Sequence, residues 1–152
     1  MALRALRTRR RTQEGAAALE FALVMPLLLL LVFALIQYGV YFWAYQGGAD
    51  AARLAARSAA VGSYPQDCTG FKTQVRDAIG KMATNTATVT RTFTKTDSTK
   101  GVQPGDLVTV TVSYDTLNLN FPFLPFISGG YVKQTAQARV DNVTDSTAVD
   151  CS

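Results

Sequence analysis

The sequence predicts an α+β fold, in which one long N-terminal helix packs its outer half on a small antiparallel sheet of about three strands. Three observations carry this expectation. A run without a single charged side chain extends from Phe21 to Ala49. An alanine-rich stretch, ADAARLAARSAAV, follows at once and continues the helical pattern. Beyond Thr84 the apolar spacing drops from the helical period to a period of two. With 152 residues and 16.4 kDa, the chain holds one modest domain besides that helix.

The helix comes first in the chain and dominates it. Its densest part, Phe21 to Ile36, contains no polar side chain. Extended to Ala16 and Tyr38, the segment has about 23 residues and spans roughly 35 Å, enough to cover a hydrocarbon core of roughly 30 Å. A soluble chain this small has too little material to wrap a helix apolar on every side, so a membrane-spanning helix is expected. A cleaved secretory signal is the other reading of such a segment. Its apolar region is usually shorter, though small residues near Gly47 and Ala49 would suit a signal peptidase. The Arg9-Arg10 pair suggests a twin-arginine signal only weakly, because Thr12 and Gln13 stand where apolar residues belong.

Charge sets the expected orientation. The net charge is +4, and Arg4, Arg7, Arg9, Arg10 and Arg11 against Glu14 account for all of it. The remainder of the chain is neutral, which argues against a nucleic-acid partner, since that needs positive charge clustered on the folded part. Positive flanks stay cytoplasmic, so the N-terminus is expected inside and the later residues outside. Tyr38, Tyr41, Trp43 and Tyr45 would then sit at the outer headgroup level, or serve as ordinary packing aromatics. Pro26 lies inside the span, denies the carbonyl of Ala22 its helical partner, and is expected to bend or loosen the helix. One continuous helix from Ala16 to about Val61 would measure about 69 Å, with Gly47-Gly48 as the expected point of flexure.

The outer part reads as alternating elements. Tyr64-Pro65 opens a loop. From Thr69 to Met82, Phe71, Val75, Ala78, Ile79 and Met82 recur at helical spacing and predict a second amphipathic helix. From Thr84, threonines line one strand face while Ala87, Val89, Arg91, Phe93 and Lys95 line the other. Asp97 to Asp106 is a turn or short loop. Leu107 to Tyr114 is a strand with Val108, Val110, Val112 and Tyr114 on one side. The two prolines in Phe121 to Phe126 exclude a regular strand centre, leaving an apolar loop that covers the core or an exposed contact patch. Gly129-Gly130 turns the chain into a third strand from Tyr131 to Val143. Cys68 and Cys151 both fall on the outer side, where disulfides persist; they would close more than eighty residues as one bridge, or stay free, or pair with another subunit.

The junction between the arginine tail and the apolar run narrows the reading. Gln13-Glu14-Gly15 is followed by Ala16-Ala17-Ala18-Leu19-Glu20-Phe21 and then by the span. This order resembles the prepilin processing site of type IV pilins. More closely, GAAALEFALVMPLLLLLVFALIQYG and the later AARLAARSAAVG resemble TadE-like proteins, pseudopilins of the tight-adherence (Tad/Flp) pilus system. The resemblance implies cleavage by a prepilin peptidase between Gly15 and Ala16. Glu20 then becomes the fifth mature residue and Phe21 the sixth, both in subunit docking. Major Flp pilins favour tyrosine at that sixth position, so Phe21 points away from the major subunit. Independently of the family, a carboxylate at the edge of a hydrocarbon span needs compensation. Glu20 would find it in the new α-ammonium of Ala16, in a neighbouring subunit's amine, in the helix dipole alone, or among headgroups.

The resemblance implies three parts: a basic leader over residues 1–15, a transmembrane helix over 16–46, and an extracytoplasmic pilin-like domain over 47–152. It implies residence in a bacterial inner membrane, with the N-terminus cytoplasmic, and possible incorporation in the pilus. The implied partners are the prepilin peptidase, other pilins and pseudopilins, the inner-membrane assembly platform and membrane lipid. The implied work is structural, in initiating, joining or capping a pilus. A permanently signal-anchored binding module is the alternative. No enzyme activity, cofactor or metal is expected: histidine is absent, and no phosphate loop, carboxylate pair or base beside a nucleophile is apparent.

Overall fold

The computed structural model of the chain describes residues 2–62, 67–142 and 149–152, with side chains described from residue 15 onward except residue 128. The loop expected at Tyr64-Pro65 lies outside the described residues. The first element, α1, is a single α-helix over Ala2–Ala60. It starts well before the expected Ala16 and runs without interruption through Pro26 and through Gly47-Gly48. A second helix, α2, covers Cys68–Ile79 and ends in a 3-10 turn over Gly80–Met82. Asp67 caps α2, its carboxylate accepting from the Gly70 amide at 2.7 Å. Phe71, Val75 and Ile79 form the buried stripe of α2 that their spacing predicts.

Three strands follow: β1 (Thr88–Thr94), β2 (Leu107–Asp115) and β3 (Tyr131–Arg139). They form an antiparallel meander in the order β1-β2-β3. The first strand begins at Thr88 rather than Thr84, and the third ends at Arg139, where the Val140 amide turns back to the Asp106 carbonyl at 2.8 Å. Register places Val89 opposite Val112, Arg91 opposite Val110 and Phe93 opposite Val108. On the other side of β2, Val110 faces Ala136 and Tyr114 faces Val132. One face of the sheet is therefore branched and apolar, apart from Arg91. The other face carries the threonines, cross-linked in part by Thr111 and Thr135 hydroxyls 3.0 Å apart.

The core lies between that apolar face and the outer half of α1. Gln37, Tyr41, Ala44, Gly48, Ala51, Ala52, Ala55, Ala56, Ala59 and Ala60 are buried, at intervals of three and four that trace one helical stripe. Alanine and glycine keep this stripe flat, so the helix backbone approaches the sheet closely. Gly47-Gly48 serves the same end, in place of the flexure expected there. A Cβ on Gly48 would stand 2.7 Å from the Tyr114 hydroxyl, and one on Gly47 would overlap the Met82 thioether. The helix closes at Gly62 in the left-handed region (φ 69°). The freed carbonyl of Ala60 accepts from the amides of Asp141 and Asn142 at 3.1 and 3.3 Å, which ties the end of the sheet to the end of the helix.

Candidate functional site

Two features of this fold are candidates for function: the apolar stem of α1 and the place where it enters the domain. From Gly15 to Val32 every residue is exposed, on all faces of the helix. That is roughly 18 residues, or ~27 Å at the α-helical rise. Leu23, Leu27 and Leu31 are among the apolar side chains left uncovered. Among the described residues this is the one helix long and apolar enough to cross a membrane. Gly15, Ala16, Glu20 and Phe21 all lie exposed on it. Ala16 and Glu20 are one turn apart on the same face, the spacing that an amine on residue 16 would need to reach the carboxylate. Pro26 sits one turn beyond Ala22 inside the unbroken helix.

The domain takes hold of α1 at Phe33. There the ring of Phe121 stacks on that of Phe33, centroids 4.6 Å apart and planes within 12°. One turn further on, Gln37 is buried, and its amide reads the backbone of the incoming loop twice. Its Nε2 donates to the Leu117 carbonyl at 3.2 Å, and its Oε1 accepts from the Leu119 amide at 3.0 Å. A glutamine in an otherwise apolar run is thus satisfied by a loop that would lack partners without it. The Tyr38 hydroxyl donates to the Pro125 carbonyl at 2.8 Å, and Tyr41 meets Phe126 edge-on at 5.7 Å. The four aromatics expected as a belt therefore divide. Tyr41 belongs to the core, while Trp43 and Tyr45 remain exposed. Beside this contact on α1, Leu31, Ala34, Leu35, Tyr38, Gly39 and Phe42 line an apolar groove.

Deeper in the domain, Tyr114 fastens the sheet to the helix. Its hydroxyl donates to the Ala44 carbonyl at 2.6 Å, and the side chain is almost wholly buried. Burial pushes its pKa up to about 12, opposed in part by a hydrogen bond from the Gly48 backbone.

The disulfide and Arg91 make a second fastening. Cys68 and Cys151 are bonded, with Cα atoms 5.4 Å apart, and no free cysteine remains. The bridge brings the C-terminal residues onto the free edge of β1. There the amides and carbonyls of Arg91 and Cys151 pair reciprocally at 2.9 and 2.7 Å, and the Phe93 amide donates to the Asp150 carboxylate at 2.7 Å. An exposed strand edge is a template for unwanted pairing, and here it is occupied. The side chain of Arg91 is completely buried. Its guanidinium lies 4.4 Å from the Phe71 ring centroid and 5.4 Å from that of Phe93, and donates to the Val149 carbonyl from Nε and Nη2 at 3.3 and 3.1 Å. Burial pushes its pKa down, offset in part by the charges of Asp150 and Asp67. Sequence reasoning placed Arg91 on a strand face with Val89 and Phe93 without assigning it a task. A cation at a core position was the available signal.

The comparisons with known proteins bear on the stem. No curated protein and no solved structure matches the chain. A family model does, and its extent covers the apolar stem and most of the alanine stripe. From Gly15 to Arg57, the segment that crosses from the exposed stem into the domain core, the chain matches the family model of TadE-like proteins, the family that its junction and apolar run resemble.

Proposed function

We propose that this chain is a minor pilin, or pseudopilin, of a tight-adherence pilus, with a structural task in assembly. The observation that carries the reading is an apolar helical stem matching the TadE-like family and exposed on every side, joined without a break to a folded domain. Lipid is the solvent such a stem requires before assembly, and the stems of neighbouring subunits provide an equivalent one afterwards. The arginine tail favours a single pass with the N-terminus cytoplasmic and the domain outside, in the bacterial inner membrane. In this reading the span occupies Ala16 to about Ile36. The partners are a prepilin peptidase, other pilins and the inner-membrane assembly platform.

Maturation is the sharpest part of the proposal. The peptidase cuts between Gly15 and Ala16, removing the five arginines and creating an ammonium one helical turn from Glu20. That pairing, within one chain or between neighbours, offsets the expense of a carboxylate at the hydrocarbon edge and sets the axial register of docking stems. The full chain is to be expressed with its cognate peptidase and its N-terminus read by intact mass. A product starting at Ala16 is expected, whereas retention of Met1 and the arginines would favour a permanent signal anchor. Glu20→Ala should reduce incorporation into pili and association with other pilins; unchanged incorporation and association would remove Glu20 from docking.

A further inference from the structure

We infer that the loop from Leu117 to Ile127 is a second membrane contact, a foot that rests in the outer leaflet of the same bilayer with Phe123 as its inserted side chain. The inference rests on the membrane-spanning reading of the stem and adds to it a contact made by the folded domain.

Height along α1 is the first argument. A hydrocarbon core of ~30 Å takes ~20 helical residues. Counted from Ala16, its outer boundary falls near Ile36, and counted from Phe21 it falls near Tyr41. Phe33 is inside the boundary on either count, and Phe121 lies flat against Phe33. The loop therefore reaches apolar depth where it touches the helix. Its two limbs are pinned slightly higher, by Gln37 at Leu117 and Leu119 and by Tyr38 at Pro125. The turn between the limbs faces the bilayer.

Composition and conformation supply the second argument. From Thr116 to Gly130 the chain has no charged residue. Phe123 is 91% exposed, and its backbone sits in the left-handed region at φ 65°, an outlier for a bulky residue. A conformation of that kind, spent on presenting a phenyl ring to the surroundings, fits a ring whose surroundings are lipid. The backbone is suited to such a setting. Positions 122 and 125 are prolines and carry no N–H, while the amides of Leu119, Asn120 and Leu124 donate within the protein. Together these account for five of the loop's eleven positions, and the other amides need the water and headgroups of the interface rather than the hydrocarbon, where each would cost several kcal/mol. Asn118 and Asn120 lie on the limb that Gln37 pins higher, at the level of the headgroups, while the tip from Phe121 to Phe126 has no polar side chain and lies beside the uncharged stem. Lipid, polar above and apolar below, is the occupant that matches this order.

The test uses the full chain, one copy per lipid nanodisc, so that neighbouring subunits are absent. Trp43, the sole tryptophan, is replaced by W43F, and single probes are added as F123W or as L28W in the stem. Each is measured in unbrominated lipid and in lipid brominated high or low on the acyl chains. F123W is expected to lose about half its emission to the high bromines, to lose less to the low ones, and to emit to the blue of a water-exposed indole. L28W should be quenched chiefly by the low bromines. If L28W is quenched and F123W is not, the foot is refuted while the spanning stem stands. If neither is quenched, the stem reading falls and takes the foot with it. An F123W indole shielded from aqueous quencher but insensitive to bromine would mean a protein contact, and that too overturns the inference.

Discussion

Gly48→Ala is a demanding test of how α1 lies on the sheet. In the middle of an exposed helix the same exchange would stabilise by about 1 kcal/mol, because alanine has the better helical propensity. At position 48 the new methyl would stand 2.7 Å from the Tyr114 hydroxyl and 3.2 and 3.3 Å from its Cε1 and Cζ. The hydroxyl has no room to yield: it is held at 2.6 Å by the Ala44 carbonyl, on a side chain 1% exposed within the middle strand. Moving it gives up a buried hydrogen bond, about 1 kcal/mol net and up to ~3 if a partner is left dry. Overpacking adds about 1–3 kcal/mol. Set against the gain in propensity, the net loss should be about 1–5 kcal/mol. Gly47→Ala is the internal control. Its methyl meets only the flexible thioether end of Met82, so the exchange should be close to neutral or mildly stabilising. Urea unfolding of the full chain in detergent, followed by near-UV circular dichroism, measures both. In Tyr114→Phe the obstructing oxygen is gone, so Gly48→Ala should cost less there than in the parent, a coupling visible in a double-mutant cycle. A Gly48→Ala protein as stable as Gly47→Ala would refute the close approach of α1 to Tyr114.

Three further outcomes follow from the same contacts. Because burial raises the Tyr114 pKa to about 12, its contribution is complete below the unfolded value near 10 and lost as pH rises through the folded value. An alkaline loss on the order of 2 kcal/mol is expected across that window, and Tyr114→Phe should flatten it in denaturant midpoints measured on either side. The Asp106 carboxylate accepts from the Thr96 and Gln103 amides, each at 2.8 Å, and these bonds hold its pKa below the usual carboxylate value. Its contribution is present above the unfolded pKa and lost as pH falls through the folded one, so Asp106→Asn should lower neutral-pH stability and shrink the acid-side loss seen by thermal unfolding. Removing the bridge with Cys68→Ser/Cys151→Ser, which opens a sequence separation of 83 residues, should cost at most about 4.5 kcal/mol on loop entropy. Arg91→Met should then cost less in that background than in the bridged chain, by about 1–2 kcal/mol, since the bridge is what presents the Val149 carbonyl to the guanidinium. Equal costs would mean that the tail stays docked without its bond.

The elements that announce themselves through one repeating period were legible in the sequence. Leu107 to Tyr114 alternates strictly and is β2 to within a residue; the Phe71, Val75 and Ile79 stripe is the buried face of α2. The junction around Gly15 and Glu20 was legible in another way, as an ordered motif, and the family match begins there. Less legible was whatever depends on two distant segments meeting. Gln37 was simply one residue of the span, since nothing near it in the chain shows that Leu117 and Leu119 will come to its amide. Gly47-Gly48 offered flexibility locally, and only the position of Tyr114, far along the chain, turns the pair into a seat for the sheet. Arg91 sat on the core face by periodicity. Its aromatic slot and carbonyl partner come from α2 and the C-terminus, segments brought together by a bridge that cysteine count alone left open.

The unbroken course of α1 has a mechanical consequence. Stem and domain share one continuous helix, and the domain is fastened along its outer half by Gln37, Tyr114 and the Ala60 carbonyl. From Ile36 to Ala60 the rod measures ~36 Å, so a tilt of ~20°, ordinary for a helix in a bilayer, carries the far end sideways by ~12 Å. The domain has no way to stay upright while its root leans. A pull applied to the root is thus passed to the sheet along the helix, and leverage on the sheet is passed back to the root by the same path.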